Sequence, residues 1–170
     1  MAKDINLPDF EELMNLYYGG LNRVAASYET NPSLQEELLQ DILEAIWRSL
    51  KNFRAEASIK TYLYRIAHFR GARHVAKQVK RIKSNNQVDV QEMNCRQPEQ
   101  LAEKQQQLED LMAGIHQLPI IQRQLITLFL EGFSYSEMAE VTGLKSNHVG
   151  VNLNRAKSSL KNIMELKNAR

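Results

Sequence analysis

Apolar residues recur every three or four positions along most of the chain, which is typical of amphipathic α-helices. A first series runs from Phe10 to Val24 and is weakened in its middle by Gly19-Gly20. A second series runs from Leu39 to Leu50 and places Trp47 on its buried side. It is preceded by a segment with the form of a capping box, Ser33-Leu34-Gln35-Glu36. These two series predict the first two helices.

A third helix is predicted from Ile59 to Lys83. Its buried side carries apolar residues as far as Phe69, and Gly71 marks a point where the helix could bend. Residues 84–98 have no apolar period and are rich in Asn and Gln, which predicts a flexible linker.

The helical pattern resumes at Leu101 and continues to the end of the chain. Pro119 starts a new helix that ends near Gly132, Ser134 begins a second capping box, and Ser146 is expected to cap the last helix. The predicted fold is therefore all-α, with two small helical domains, residues 1–83 and 99–170, joined by a flexible linker at 84–98.

Charge is distributed in alternating blocks. Residues 1–47 hold nine acids and two bases, whereas residues 48–83 hold eleven bases and one acid. Residues 84–113 are again acidic and residues 114–170 again basic, although the net charge of the chain is only +2. Such asymmetry indicates a polyanionic partner for the basic blocks.

Motifs for catalysis are missing from the sequence. The four His show no metal-ligand spacing, one Cys excludes a disulfide framework, and neither a GxxxxGK[ST] nor a GxGxxG loop occurs. We therefore expect no catalytic residues, no metal and no cofactor. Neither a secretory signal nor a membrane-spanning stretch is recognised, so a cytoplasmic protein without membrane insertion is expected.

The C-terminal domain has the spacing of a helix-turn-helix. Ala139 allows close approach of two helices, Gly143 supplies the turn, and Leu144 and Val149 bury the second helix against the first. The predicted recognition helix, Asn147 to Lys161, holds three bases and no acid.

The sequence as a whole resembles the two-domain extracytoplasmic-function (ECF) sigma factors of bacteria. The segment from Leu38 to Trp47, LLQDILEAIW, is similar to the polymerase-binding helix of that family. The promoter-melting segment of that family is similar to Phe53 together with the later run Thr61-Tyr62-Leu63-Tyr64-Arg65-Ile66-Ala67. The C-terminal domain of that family is similar to three segments of this chain in the same order: Leu118-Pro119, Phe133 to Ala139, and Arg155-Ala156.

The resemblance implies a role for each surface. The partners would be core RNA polymerase, through its β′ clamp and β flap, promoter DNA and an anti-sigma factor. Core polymerase would contact Glu37, Gln40, Asp41 and Glu44. The −10 element would contact Phe53, Arg54, Lys60, Tyr64, Arg65, His68 and Arg73, with Tyr64 favoured over Tyr62 because it lies off the apolar stripe. The −35 element would contact Ser146, Asn147, His148, Val151, Asn152 and Arg155.

Several positions depart from the family pattern. Phe69 and Arg73 stand where Asn and Asp are usual, which indicates an altered −10 contact. His148, Gly150 and Asn152 replace a Thr, a Lys and an Arg of the recognition helix, which indicates an uncommon −35 sequence. Two alternatives to a promoter-directing factor remain open from sequence: a free-standing helix-turn-helix regulator, and a sigma-like decoy for an anti-sigma factor.

Overall fold

The computed structural model describes residues 9–84 and 102–168, and all regular structure within these ranges is α-helical, as predicted. Three helices form an N-terminal domain and four form a C-terminal domain. The predicted linker lies outside the described residues except for Ser84, which ends the third helix. The helices are α1 (Phe10–Tyr28), α2 (Pro32–Leu50), α3 (Ile59–Ser84), α4 (Ala102–His116), α5 (Ile120–Leu130), α6 (Tyr135–Thr142) and α7 (Ser146–Asn168).

Helix α2 begins two residues earlier than the capping box would place it. The Oδ1 atom of Asn31 accepts hydrogen bonds from the amides of Ser33 and Leu34, at 3.0 and 3.2 Å. Pro32 occupies the first helical turn, where its fixed φ suits a helix and its missing N–H leaves nothing unsatisfied. Asn31 is therefore the N-cap, and the predicted box at Ser33 and Glu36 was wrong.

The core of the N-terminal domain is formed by one apolar stripe from each of its helices. Trp47 and Phe69, predicted to be buried, are instead 63% and 60% exposed. Each lies at the border of its apolar stripe, and in a bundle of three helices no further helix covers that border. The buried residues include Leu13, Leu21, Val24, Leu38, Ile42, Ile46, Leu63 and Ala67.

Helix α3 continues past Gly71, where a bend was considered. A Cβ atom at Gly71 would lie 2.2 Å from a ring carbon of Tyr28. Gly71 therefore lets the α1 ring pack directly on the α3 backbone, at a position where glycine costs roughly 1 kcal/mol of helix propensity relative to Ala.

The C-terminal domain contains the predicted helix-turn-helix in α6 and α7. Ser134 and Glu137 form the predicted capping box, with the Ser134 amide donating to Glu137 Oε2 over 2.7 Å. Gly143 ends α6 with a φ of 73°, a left-handed conformation that favours glycine. Val149 of α7 is fully buried, as expected, and so are Leu153 and Ala156, whereas Leu144 is half-buried.

The two domains pack against each other. Helix α1 contacts α4 and α5, α3 contacts α6, and the buried apolar residues of both domains form one cluster. The Nε2 atom of His116 lies 3.1 Å from the carbonyl oxygen of Tyr28 across this boundary. Among the described helices, none is long and apolar enough to cross a membrane.

Candidate protein and nucleic-acid interfaces

The outward face of α2 is polar and acidic. Asp41 Oδ1 accepts a hydrogen bond from Arg70 Nη1 over 3.3 Å, and Glu44 pairs with Arg48 one turn later. Exposed ion pairs of this kind contribute about 0–1 kcal/mol, so they compete only weakly with an external partner. The four residues predicted for the protein contact all lie exposed on this face: Glu37, Gln40, Asp41 and Glu44.

Trp47 extends the same face, and the sequence analysis missed it. It follows Gln40 and Glu44 at helical spacing, which was the available signal for an outward position. A largely exposed Trp beside acidic residues is a typical anchor of a protein interface, where Trp is enriched at energetically dominant positions.

An open groove of about 580 Å³ separates α2 from α3. Glu37 and Asp41 line its α2 side. Its α3 side is strongly basic, so the groove places the acidic face of α2 directly beside a cationic helix. The basic side chains that line it are Arg70, Arg73, His74, Lys77 and Lys80.

The connection between α2 and α3 holds two of the predicted DNA contacts. The Phe53 ring packs on Tyr62 with ring centroids 5.0 Å apart, and Arg54 is exposed. Between them and α3, Ala55 adopts a φ of 54°. For a residue with a Cβ atom this left-handed conformation costs about 1–2 kcal/mol, and such strain is concentrated at functional sites.

Helix α3 carries an exposed stripe of cations around one ring. Arg65, Phe69 and Arg73 follow one another at four-residue spacing, and all three are exposed. The Arg73 guanidinium lies 5.9 Å from the centroid of the Phe69 ring. Phe69 was not among the predicted site residues because the period of three and four assigned it to the core. Cations flanking an exposed ring can hold phosphates while a base stacks.

Tyr64 is not the exposed ring that its position off the apolar stripe predicted. It is only 2% exposed, its ring lies 4.8 Å from that of Phe133, and its hydroxyl donates to Glu131 Oε2 over 3.0 Å. Burial, together with the neighbouring Glu131 carboxylate, raises the pKa of Tyr64. Tyr64 is buried because the C-terminal domain covers the α3 face that the N-terminal core leaves free.

His68, predicted to contact DNA, lies in the core. It is 2% exposed, and its Nδ1 lies 2.8 Å from the Tyr28 hydroxyl oxygen. Burial lowers the pKa of His68 to about 3, so the imidazole is neutral at physiological pH. Its assignment as a DNA contact was therefore wrong in this packing.

The outward face of α7 presents the predicted recognition residues. The carbonyl of Lys145 accepts the first helical hydrogen bond, from the Val149 amide over 3.1 Å. Lys145 is therefore the N-cap, and the prediction that Ser146 caps the helix was wrong by one residue. The face comprises the exposed Ser146, Asn147, His148, Val151 and Arg155 and the half-buried Asn152.

Two side chains of α7 are already engaged within the protein. The Asn152 amide donates to the carbonyl of His148 over 2.9 Å, and the Lys157 ammonium lies 3.8 Å from the centroid of the Phe129 ring. Asn147, in the first turn, is exposed. It is therefore better placed than Asn152 to reach a base edge.

Comparison with known proteins identifies both domains. Residues 13–81 match the family described as Sigma-70 region 2, and residues 108–160 match Sigma-70, region 4. The ECF RNA polymerase sigma factor SigX of Bacillus subtilis (strain 168) is 29% identical over 168 residues, 92% of this chain and 84% of SigX. The RNA polymerase sigma factor YlaC of the same organism is 29% identical over 164 residues, 91% of each chain.

Two solved structures share the fold. The first is the sigma factor RpoE in complex with the anti-sigma factor NepR from Bartonella quintana. It has a TM-score of 0.79 and 22% identity over 94% of this chain and 98% of that one. The second, CnrH in complex with the cytosolic domain of CnrY, has a TM-score of 0.69 and 18% identity, covering 92% and 88%.

Proposed function

This chain belongs to the extracytoplasmic-function sigma factors, which direct RNA polymerase to promoters, and from that premise we propose how its surfaces divide the work. The family match favours promoter direction over a free-standing regulator or a decoy. The N-terminal domain, α1–α3, is named the region 2 domain below, and the C-terminal domain, α4–α7, the region 4 domain. The observation that carries the proposal is the acidic outward face of α2 lying directly beside cationic α3.

Core polymerase binds the outward face of α2, through the β′ clamp. Glu37, Gln40, Asp41 and Glu44 supply charge and hydrogen-bond acceptors, and Trp47 supplies a large apolar contact. The weak internal pairing of Asp41 supports this assignment, because its carboxylate can be transferred to a partner cation at little cost.

The −10 element binds the connection between α2 and α3 together with the outer side of α3. Phe53, Arg54, Lys60, Arg65 and Arg73 hold the strand during opening. Phe69 joins this set as the base-stacking ring, because it is exposed and flanked by cations one turn before and one turn after it. Tyr64 and Lys60 become available only when the region 4 domain moves away.

The −35 element binds the outward face of α7, while the region 4 domain rests on the β flap. Asn147 and His148 reach base edges from the first turn, where the helix dipole also favours phosphate. Val151 offers an apolar contact, and Arg155, one turn further along, contacts the phosphate backbone.

Reconstitution with core polymerase tests this function. The full chain is mixed with purified core polymerase, isolated as a complex, and used for run-off transcription from a library with randomised −35 and −10 positions. We expect a stable complex and transcripts enriched in one promoter pattern. Sequence-specific, nanomolar binding to duplex DNA by the chain alone at physiological salt would favour a free-standing regulator instead.

Control by an anti-sigma factor is a further part of the proposal. A sigma factor that shares this fold over 94% of the chain was solved in complex with an anti-sigma factor, and CnrH, which shares the fold over 92% of the chain, was solved in complex with the cytosolic domain of CnrY. We therefore expect a protein that competes with core polymerase for this chain in a pull-down. A cytoplasmic location follows from the partners, core polymerase and promoter DNA.

A further inference from the structure

The groove between α2 and α3 has two walls of opposite charge. The α3 wall carries Arg73, Lys77 and Lys80, which follow one another at spacings of four and three residues and so share one face of the helix. The α2 wall carries the carboxylates of Glu37 and Asp41. At about 580 Å³ the groove has the size of a small-molecule site, and it lies wholly within the region 2 domain.

Internal ion pairing leaves an excess of positive charge in the groove. Arg70 Nη1 lies 3.3 Å from Asp41 Oδ1, and this pair joins the two walls. Within residues 9–84 and 102–168, Arg73, Lys77 and Lys80 form no ion pair. Three cations therefore face the one remaining carboxylate of the α2 wall, which favours an anionic ligand.

The length of the cationic wall favours a ligand with several phosphates. From Arg73 to Lys80 the helix advances by about 10 Å along its axis, at 1.5 Å per residue. A chain of linked phosphates can contact all three cations through charge-assisted hydrogen bonds without drawing the side chains together.

The α2 wall requires a second kind of group on the same ligand. The Glu37 carboxylate repels phosphate and accepts hydrogen bonds, so the part of the ligand beside it must carry donors. The hydroxyl groups of a ribose and the amino group of a base are such donors. The sugar–phosphate backbone of duplex DNA has none, so it matches only the α3 wall.

We propose that the α2–α3 groove binds a nucleotide with two or more phosphates. Arg73, Lys77 and Lys80 hold the phosphates, and the nucleoside donates to Glu37. A bound nucleotide covers part of the faces assigned to core polymerase and to the −10 element, so it competes with both. This competition, unlike the binding site, rests on the proposed function.

Neutral variants of the α3 wall test the site in the free, full-length chain. Lys77→Gln combined with Lys80→Gln removes two exposed charges that line the groove. Arg81→Gln combined with Lys83→Gln is the matched control, because it removes two exposed charges of the same helix that do not line the groove. Circular dichroism confirms that both double variants are folded.

Isothermal titration calorimetry in magnesium-free buffer measures binding of GTP and of inorganic triphosphate. The groove variant should bind GTP about tenfold more weakly than the wild type, whereas the control should stay within about twofold of it. The wild type should bind GTP more tightly than triphosphate. Glu37→Ala should lower the ratio of these two affinities, since it removes an acceptor for the nucleoside and a charge that repels phosphate.

Three results would overturn the nucleotide site. Equal GTP affinities of the two double variants would show that the groove is not the binding site. Triphosphate binding as tight as GTP binding would show that phosphate alone is recognised. Weaker binding of random-sequence duplex DNA by the groove variant, with GTP affinity unchanged, would show that the α3 wall contacts the DNA backbone instead.

A competition measurement keeps the site distinct from the proposed function. GTP should weaken binding of labelled core polymerase by the wild type and have little effect on the variant Lys77→Gln with Lys80→Gln. If calorimetry shows GTP in the groove but core binding is unaffected, the site is supported, and the competition and the assignment of Glu37 to the polymerase contact are overturned.

Discussion

The hydroxyl oxygen of Tyr28 in α1 lies 2.8 Å from Nδ1 of His68 in α3, and both side chains are buried. The two rings are also in an edge-on arrangement, with centroids 5.7 Å apart. The pair joins two helices of the region 2 domain through a neutral imidazole. The imidazole is neutral because burying its charged form away from solvent would cost free energy. Its protonation is therefore coupled to folding.

We predict that stability falls on acidification, with His68 as a major cause. Because the folded pKa is about 3 and the usual value is 6.5, the contribution of this group is complete above pH 6.5 and is lost as pH falls toward 3. The loss is on the order of 1 kcal/mol per pH unit below pH 6.5. Urea unfolding measured from pH 7.5 to 5 gives the slope.

His68→Gln should flatten that slope, although it also lowers stability at pH 7.5. His148→Gln, at an exposed position, should leave the slope as it is in the wild type. Equal slopes for His68→Gln and the wild type would show that another group is responsible, of which the half-buried His116, whose pKa burial also lowers, is the next candidate.

Charge reversal at Asp41 should weaken binding to core polymerase by at least tenfold. The side chain is exposed and, within residues 9–84 and 102–168, pairs with Arg70 at 3.3 Å, so the free energy of unfolding should change by no more than about 1 kcal/mol. Glu109→Lys is the control, since it makes the same charge change at an exposed position of α4. Equal affinities of the two variants, measured by titration with labelled core polymerase, would remove Asp41 from the interface.

Removal of the Phe69 ring should impair strand opening and leave core binding intact. Stacking of one base on an aromatic ring is worth about 1–3 kcal/mol, so Phe69→Ala should reduce the open-complex population roughly 5- to 150-fold. Phe69→Trp should retain most of the open-complex population. The opening of the promoter strands is measured by the permanganate reactivity of unpaired thymines. Tyr18→Ala, which removes a half-exposed ring from α1, should open promoters normally; a matching defect there would point to a general loss of structure.

Substitutions on α7 should separate base reading from phosphate contact. Asn147→Ala should change the preferred −35 base, with about 1–3 kcal/mol of lost discrimination, whereas Asn152→Ala should have a smaller effect because its amide is bonded to His148. Arg155→Ala should weaken all promoters similarly and reduce the salt slope by about one. Transcription of a randomised −35 library by each variant holoenzyme measures the base preference and the overall promoter strength. An unchanged base preference in Asn147→Ala would exclude Asn147 as a residue that contacts the −35 bases.

Local sequence determined the helices and most of their ends. The spacing of apolar residues identified the helical segments on both sides of the linker, because the α-helical period is a property of neighbouring residues. The box at Ser134 and Glu137 and the left-handed Gly143 were predictable for the same reason, since a cap is satisfied within one turn. The ends of α2 and α7 were displaced by one or two residues, where Asn31 and Lys145 compete with a nearby Ser for the cap position.

The acidic face of α2 was also readable from the sequence. Glu37, Gln40, Asp41 and Glu44 recur at helical spacing opposite an apolar stripe, and a charged face opposite a core must be outward. The motifs along the chain indicated the family before any contact was known, because each of them is a short run of adjacent residues.

Only the tertiary structure decided which aromatic and titratable side chains are buried. Trp47 and Phe69 stand at the border of an apolar stripe, and their exposure depends on whether another helix covers that border. Tyr64 and His68 were predicted to face DNA, but one is covered by Phe133 and Glu131 of the other domain, and the other packs on Tyr28. Burial of this kind is set by contacts between residues about 40 to 70 positions apart, for which a local pattern carries no signal.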